Sequence, residues 1–90
     1  MGIERKYKSP NEIELFGVDW TDRLGSATLV TSTWTIDPAL TQVLAGFTPT
    51  QTSIKVSGGA LGQVCRITNQ VTTTNGETLE HSIDIEIIEK

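Results

Sequence analysis

The side chains that could support catalysis or bind a metal are few and far apart in the sequence. The chain has one histidine, His81, and one cysteine, Cys65, and each lies in a segment where apolar residues occupy every second position. A general base needs a nucleophile and a cleft, and a tetrahedral metal site needs several soft ligands. We therefore interpret both residues as core residues and predict no enzyme, no metal site and no cofactor.

A glycine-rich segment, GGALG over residues 58–62, superficially resembles a phosphate-binding loop. It lacks the lysine and the spacing of that motif, and a predicted strand follows it where a phosphate loop needs a helix. A tight corner before the strand is the simpler interpretation.

A second short segment, GVDWTDRLGS over residues 17–26, places Trp20 between Asp19 and Asp22. It lacks the dense oxygen ligands of a calcium loop. We interpret it as one helical turn near residues 20–24, with Asp19 as N-cap and a glycine closing the turn. Trp20 and Leu24 then share one face and extend the core.

Composition and charge narrow the class of partner. Seven Lys and Arg residues against eleven Asp and Glu give a formal net charge of −4 over 90 residues, which provides no attraction for nucleic acid or an anionic membrane. One cysteine cannot form an internal disulfide. Residues 1–16 carry charges where a signal peptide needs an apolar run. We expect synthesis in a reducing cytoplasm and no nucleic-acid or membrane partner.

The rest of the chain predicts an all-β fold. Segments rich in Thr, Val and Ile alternate with Pro, Gly and Asn, and no long helical pattern separates them. This indicates an Ig-like or fibronectin III-like antiparallel β-sandwich of about seven strands. Residues 1–10 are predicted to form an N-terminal arm or an edge strand, and residues 11–90 the single sandwich domain. The predicted strands cover residues 13–16, 28–36, 43–47, 53–57, 63–73 and 77–88, with a seventh at 3–8.

Alternation within the predicted strands assigns residues to their inner faces. In the last two strands the odd-numbered residues are predicted to face inward, and they are Cys65, Ile67, Asn69, Val71, Leu79, His81, Ile83, Ile85 and Ile87. In the strand over 28–36, we predict that Val30, Trp34 and Ile36 face the core and the intervening threonines face solvent. The last two strands therefore have one apolar face each, which restricts how they can pair.

That restriction determines the turn between the last two strands. A two-residue Asn-Gly loop would set Val71 opposite Glu80 and bring a carboxylate into the core. A three-residue loop over 74–76, with left-handed Gly76, matches Val71 with Leu79 instead. We predict this bulged hairpin or another loop of odd length. The same register sets Asn69 opposite the histidine, and we expect these two polar residues to hydrogen-bond to each other.

Candidate interface residues are the charged residues near the two chain ends. They are Arg5, Lys6 and Lys8 in a basic N-terminal patch, and Glu80, Asp84 and Glu86 on the outer face of the last strand. A disordered end and a solvated face are the plain interpretations. The alternative is an arm that reaches an acidic neighbouring subunit, and copies of this chain are eligible neighbours.

The order of several motifs resembles the small Ig-like proteins found among the virion structural genes of tailed bacteriophages and prophages. The motifs are Asp19-Trp20, Ser32-Thr33-Trp34, Ser57-Gly58-Gly59 with Gly62, and the hairpin segment 67–73 with Gly76. The resemblance covers roughly residues 8–88, and Cys65 stands where an aromatic residue is expected.

The resemblance implies a non-enzymatic structural or assembly role in the virion, of a capsid-associated, head–tail or tail-fibre attachment type. Its implied partners are other virion proteins, namely capsid, portal or connector, or tail components, with several copies or a homo-oligomer in each particle. The alternative is a carbohydrate- or cell-surface-binding module on the virion, which would need exposed aromatic side chains.

Overall fold

Seven strands and one four-residue helix make up the described part of the chain, which is residues 3–90 of a computed structural model. The elements are β1 (Glu4–Lys8), β2 (Glu14–Asp19), α1 (Thr21–Leu24), β3 (Leu29–Ile36), β4 (Leu40–Phe47), β5 (Gln51–Gly58), β6 (Val64–Thr73) and β7 (Thr78–Ile87). The predicted all-β fold with about seven strands and one helical turn is confirmed. Met1 and Gly2, the start of the predicted arm, lie outside the described residues.

The strands form two sheets that pack face to face as a β-sandwich. One sheet has the order β1-β7-β6-β3 and the other the order β2-β5-β4. All neighbouring strands are antiparallel except β1 and β7, which are parallel. The predicted antiparallel arrangement therefore holds for every pair but this one. A parallel pair needs a long connection, and nearly the whole chain lies between these two strands.

The β6–β7 hairpin has the predicted register. Val71 pairs with Leu79, and Ile67 pairs with Ile83. The Thr73 N–H donates to the Glu77 carbonyl at 3.0 Å, so the loop that this pair closes has the predicted three residues, 74–76, and Gly76 has a φ of 79°. Side-chain parity was sufficient here because a slip of one residue would move every isoleucine of β7 to the wet face.

The helical turn contributes the largest side chain of the core. Trp20 is fully buried and Leu24 is 4% exposed, as predicted. The N-cap position belongs to Trp20 and not to Asp19. The Asp19 carboxylate instead accepts hydrogen bonds from the N–H and the hydroxyl of Thr21, at 3.0 and 2.6 Å, because Asp19 is the last residue of β2 and the turn starts after it. Gly25, with φ of 61°, closes the turn.

Asn69 lies opposite His81 in the ladder, but the predicted hydrogen bond between them is wrong. The Asn69 amide instead joins the two sheets and the helical turn. Its oxygen accepts from Trp20 Nε1 at 3.2 Å and Thr52 Oγ1 at 2.6 Å, and its nitrogen donates to Ser32 Oγ at 2.9 Å and the Thr33 carbonyl at 3.2 Å. All four positions of the amide are thereby used. The amide oxygen that we expected to bond to His81 accepts a hydrogen bond from Trp20 instead.

A β-bulge in β3 corrects the predicted facing of Val30. The register of β3 against β6 shifts between Leu29 and Thr31, and Val30 is 52% exposed. Trp34 and Ile36 pack against the core as predicted and are half-buried. The indole N–H of Trp34 is buried without a hydrogen-bond partner among the described residues.

The corner after β5 needs glycine for two different reasons. Gly59 and Gly62 have φ of 91° and 89°, a region that costs a residue with a side chain about 1–2 kcal/mol. A Cβ at Gly59 would also lie 2.7 Å from Ile87 Cδ1, whereas a Cβ at Gly62 would meet nothing within 4 Å. We expect Gly59→Ala to lower the urea midpoint clearly more than Gly62→Ala does. Equal losses would show that backbone strain alone matters at this corner.

Candidate interaction surfaces

The two residues that could act as a nucleophile or a base, Cys65 and His81, occupy structural positions. Cys65 is 1% exposed, and burial raises the pKa of its thiol, which favours the unreactive protonated form. His81 Nε2 lies 2.9 Å from Glu4 Oε1, and its ring meets the Trp20 ring edge-on at 6.3 Å between centroids. Within residues 3–90, no group of three or more His, Cys, Asp or Glu side chains is placed to hold a metal ion.

His81 also lines a groove of about 350 Å³ between β1 and β2. The described residues that line it are Glu4, Gly17, Val18, Asp19, Trp20, Asp22, Arg23 and His81, and none of them carries a hydroxyl, thiol or amine nucleophile. Desolvation raises the pKa of Glu4, but hydrogen bonds from His81 and Lys6 outweigh it, so the pKa lies below its ordinary value. The groove therefore contains a carboxylate paired with an imidazole, and the carboxylates of Asp19 and Asp22 line it as well.

Lys8 corrects the predicted basic patch. Its side chain is fully buried, and its ammonium donates to the carbonyl oxygens of Gly58 at 2.6 Å and Ser9 at 2.9 Å. Burial lowers the pKa of Lys8. Lys8 is buried because it pairs with the buried Ile87 and lies next to the glycine corner at the end of β5. It therefore fastens β1 to β5 and has no surface to present to a partner.

Each of the other predicted interface residues bonds to a neighbouring side chain within the chain. Arg5 Nη1 lies 2.9 Å from Glu86 Oε1, and Arg66 binds Asp84 with two hydrogen bonds, of 2.9 and 3.3 Å. The Arg66 guanidinium holds the pKa of Asp84 below its ordinary value. Lys6 pairs with Glu4 at 3.2 Å, and Glu80 accepts a hydrogen bond from Gln70. The predicted acidic row is thus a mixed and largely compensated polar face.

The four strands at the sheet edges divide into two chemically different pairs. β1, with sequence ERKYK, and β2, with sequence ELFGVD, both carry charged residues and share the groove that contains His81. β3, LVTSTWTI, and β4, LTQVLAGF, carry none. Charged residues on edge strands normally prevent unwanted pairing with other chains. The edge formed by β3 and β4 lacks this protection.

We call this uncharged edge, formed by residues 30–36 and 43–47, the β3/β4 seam. It contains a cavity of about 210 Å³ that Ser32, Ala45, Gly46 and Phe47 line. The large apolar side chains that it leaves exposed are Val30, Val43, Leu44 and Phe47, and of all residues in β4 only Leu40 is buried. The lack of charge in both segments is visible in the sequence, but the sequence does not show that these strands are sheet edges.

A comparison with protein families matches residues 8–86 to the family described as podophage GP4 fiber-tail adaptor protein gp77. The chain belongs to this gp77 adaptor family. The matched span starts at Lys8, the last residue of β1, and includes everything up to the penultimate residue of β7. Membership of the gp77 family confirms the predicted structural protein of a tailed-phage virion and indicates the tail as its location. A comparison with curated proteins gave no match.

Proposed function

We propose that the chain is a non-enzymatic adaptor that joins a fibre to the tail of the phage and binds a different protein through each lateral edge of its sandwich. One binding surface is the charged edge formed by β1 and β7, which has Arg5, Glu80, Asp84 and Glu86 on its outer face and Lys6 on the other side of β1. The other is the β3/β4 seam. The observation that carries the proposal is the contrast between these edges, together with the family match to a fiber-tail adaptor.

The contrast supports two partners of different chemistry. At the charged surface the ion pairs are exposed, so each contributes little to stability and can be exchanged for pairs with another protein. At the β3/β4 seam no charged side chain is present, and the exposed Phe47 and the half-buried Trp34 provide apolar surface of the kind that protein contacts cover. An adaptor needs two such sites on separate surfaces.

A sugar-binding role has less support. Of the aromatic residues, Trp20 is buried and Trp34 half-buried, and the exposed rings are Tyr7 and Phe47. Tyr7 lies on β1 and Phe47 on β4, which are at opposite lateral edges. Within residues 3–90 no two exposed rings therefore form a common stacking platform.

The proposal is tested by co-purification of the chain with separately produced tail and fibre proteins. Leu44→Glu places a charge on the solvent face of β4, beside the seam, and is expected to abolish binding of one partner. The double variant Arg5→Glu and Lys6→Glu is expected to weaken binding of the other partner and to leave the first unchanged. The single surface changes should leave the melting temperature nearly unchanged.

Leu15→Glu is the matched control for the seam. Leu15 and Leu44 both face solvent, at 59% and 62% exposure, and both pair with Lys55, but Leu15 lies on β2. We expect Leu15→Glu to retain the partner that Leu44→Glu loses. A chain that binds neither tail nor fibre protein, or loses both partners through one change, would contradict the two-surface adaptor.

A further inference from the structure

We infer that the β3/β4 seam accepts one extended, uncharged segment of the partner protein, which adds as a new strand along β4. This inference rests on the proposed function, because it specifies how one of the two virion partners binds. Three features of the described residues carry it: unpaired backbone groups on β4, the direction in which their side chains point, and the shape and charge of the seam.

The phase of the β4–β5 ladder identifies the unpaired backbone groups. The N–H of Thr48 donates to the carbonyl of Gln51 at 2.8 Å, so these residues form a hydrogen-bonded pair. Such pairs alternate along an antiparallel ladder, which makes Ala45–Ile54 and Phe47–Thr52 the intervening pairs without hydrogen bonds. The N–H and C=O groups of Ala45 and Phe47 therefore point away from β5. Within residues 3–90, no backbone hydrogen bond joins β4 to β3.

The same two residues face the interior of the sandwich. Ala45 and Phe47 lie opposite Ile54 and Thr52, whose side chains are buried. A strand that pairs with Ala45 and Phe47 would continue the sheet β2-β5-β4, and its alternate side chains would point between the two sheets. There they would cover Phe47, which is 46% exposed, and the half-buried Trp34.

The chemistry and shape of the seam favour a single strand over a second copy of the chain. The cavity of about 210 Å³ provides room for a side chain of an added strand. A second copy would offer either its charged edge of β1 and β2 or its own β3/β4 seam, which has the same cavity where a filling side chain is needed. An extended segment can supply that side chain.

The absence of charge defines the chemistry of the segment. The strands β3 and β4 contain no Asp, Glu, Lys or Arg, and the cavity is lined by a hydroxyl, two small residues and a phenyl ring. A charged side chain inserted here would lose its hydration without gaining a counter-ion. The inserted positions of the partner segment are therefore apolar or small, in alternation with residues that face solvent.

Binding of peptides to the full-length chain tests the inference. The probes are overlapping 15-residue peptides that span the tail and fibre proteins encoded by the same phage. We expect at least one uncharged, alternating peptide to bind and to slow amide exchange at Ala45 and Phe47 at least tenfold. Two outcomes would overturn the inference: protection confined to β1 and β2, and no peptide binding by a chain that binds the intact partner.

Two proline variants supply the matched comparison. Ala45→Pro removes an N–H that β5 does not use, and proline is tolerated on an edge strand in that position. Leu15→Pro removes the corresponding N–H of β2, at the other edge of the same sheet. The Trp20 N–H donates to the Thr50 carbonyl, and alternation from this pair makes Leu15–Lys55 a pair without hydrogen bonds, so the Leu15 N–H also points away from β5. We expect Ala45→Pro to weaken peptide binding at least tenfold, Ala45→Ser to retain it, and Leu15→Pro to retain it.

Other outcomes separate the inference from the proposed function. Undiminished peptide binding by a folded Ala45→Pro chain would overturn strand addition while leaving the adaptor role intact. If Ala45→Pro unfolds the chain, the same peptide N-methylated at alternate residues provides the test, and equal affinity of the methylated peptide would overturn the inference. Self-association that Ala45→Pro abolishes would identify a second copy as the occupant and would also overturn it.

Discussion

Replacing Trp20 with alanine is expected to lower the free energy of unfolding by about 3–5 kcal/mol. The indole ring is fully buried between the sheets, and its N–H lies 3.2 Å from both Thr52 Oγ1 and Asn69 Oδ1. The substitution removes a large apolar surface, leaves a cavity, and takes a donor from a buried polar network. Urea denaturation followed by circular dichroism measures the loss without depending on tryptophan emission.

Trp34→Ala is the matched control for Trp20→Ala. Trp34 is half-buried at the β3/β4 seam, and its indole N–H has no partner among the described residues. Less apolar surface and no hydrogen bond are lost there, so we expect a clearly smaller decrease in the free energy of unfolding. Equal losses at the two positions would contradict the assignment of Trp20 as the central side chain of the core.

Asn69→Leu is expected to lower the free energy of unfolding by about 2–5 kcal/mol, although leucine has a similar size and is more apolar. The amide is fully buried and makes four hydrogen bonds to partners on β3, on β5 and in the helical turn. Leucine would leave the Thr52 hydroxyl without its acceptor and the Trp20 N–H with one partner fewer. Each buried polar group left unsatisfied costs about 1–3 kcal/mol.

Gln70→Leu is the control for Asn69→Leu, because Gln70 is the next residue of β6 and faces solvent. We expect its urea midpoint to stay within error of that of the unchanged chain. The double variant Asn69→Leu and Trp20→Phe should be more stable than the sum of the two single losses predicts, since both changes break the same hydrogen bond. Additive losses would show that the Asn69–Trp20 contact contributes no coupling energy.

Local periodicity was sufficient to predict the strands and the β6–β7 register. Alternation in β7 leaves one register that buries Ile83 and Ile85 without also burying Glu80, so side-chain parity alone determined the length of the loop. The helical turn was also predictable, because Trp20 and Leu24 occur at helical spacing before a glycine.

Features that depend on contacts distant in sequence were not predictable in this way. The bulge that exposes Val30 is a shift of one residue with no local signal in the sequence. Lys8 is buried because a carbonyl fifty residues later, that of Gly58, accepts a hydrogen bond from its ammonium group. Asn69 bonds to Trp20 and not to His81 because the helical turn folds across the sheet, which the ladder register does not reveal.

Of the two candidate interaction surfaces, the sequence indicated the charged one and did not indicate the β3/β4 seam. The charged residues near the chain ends stand out in the sequence, and the structure brings Arg5, Asp84 and Glu86 to neighbouring positions on one face. The β3/β4 seam has a weaker signal, because an uncharged threonine-rich strand is equally typical of a sheet centre. Only the strand order shows that β3 and β4 are edge strands, where a lack of charge indicates a surface open to pairing with another chain.

Electron microscopy of virions assembled with and without this chain tests the adaptor role most directly. We expect particles that lack the chain to have complete tails without fibres, and complementation with the intact chain to restore the fibres. Fibres attached at normal occupancy to tails that lack the chain would contradict the proposal that this small sandwich joins the two.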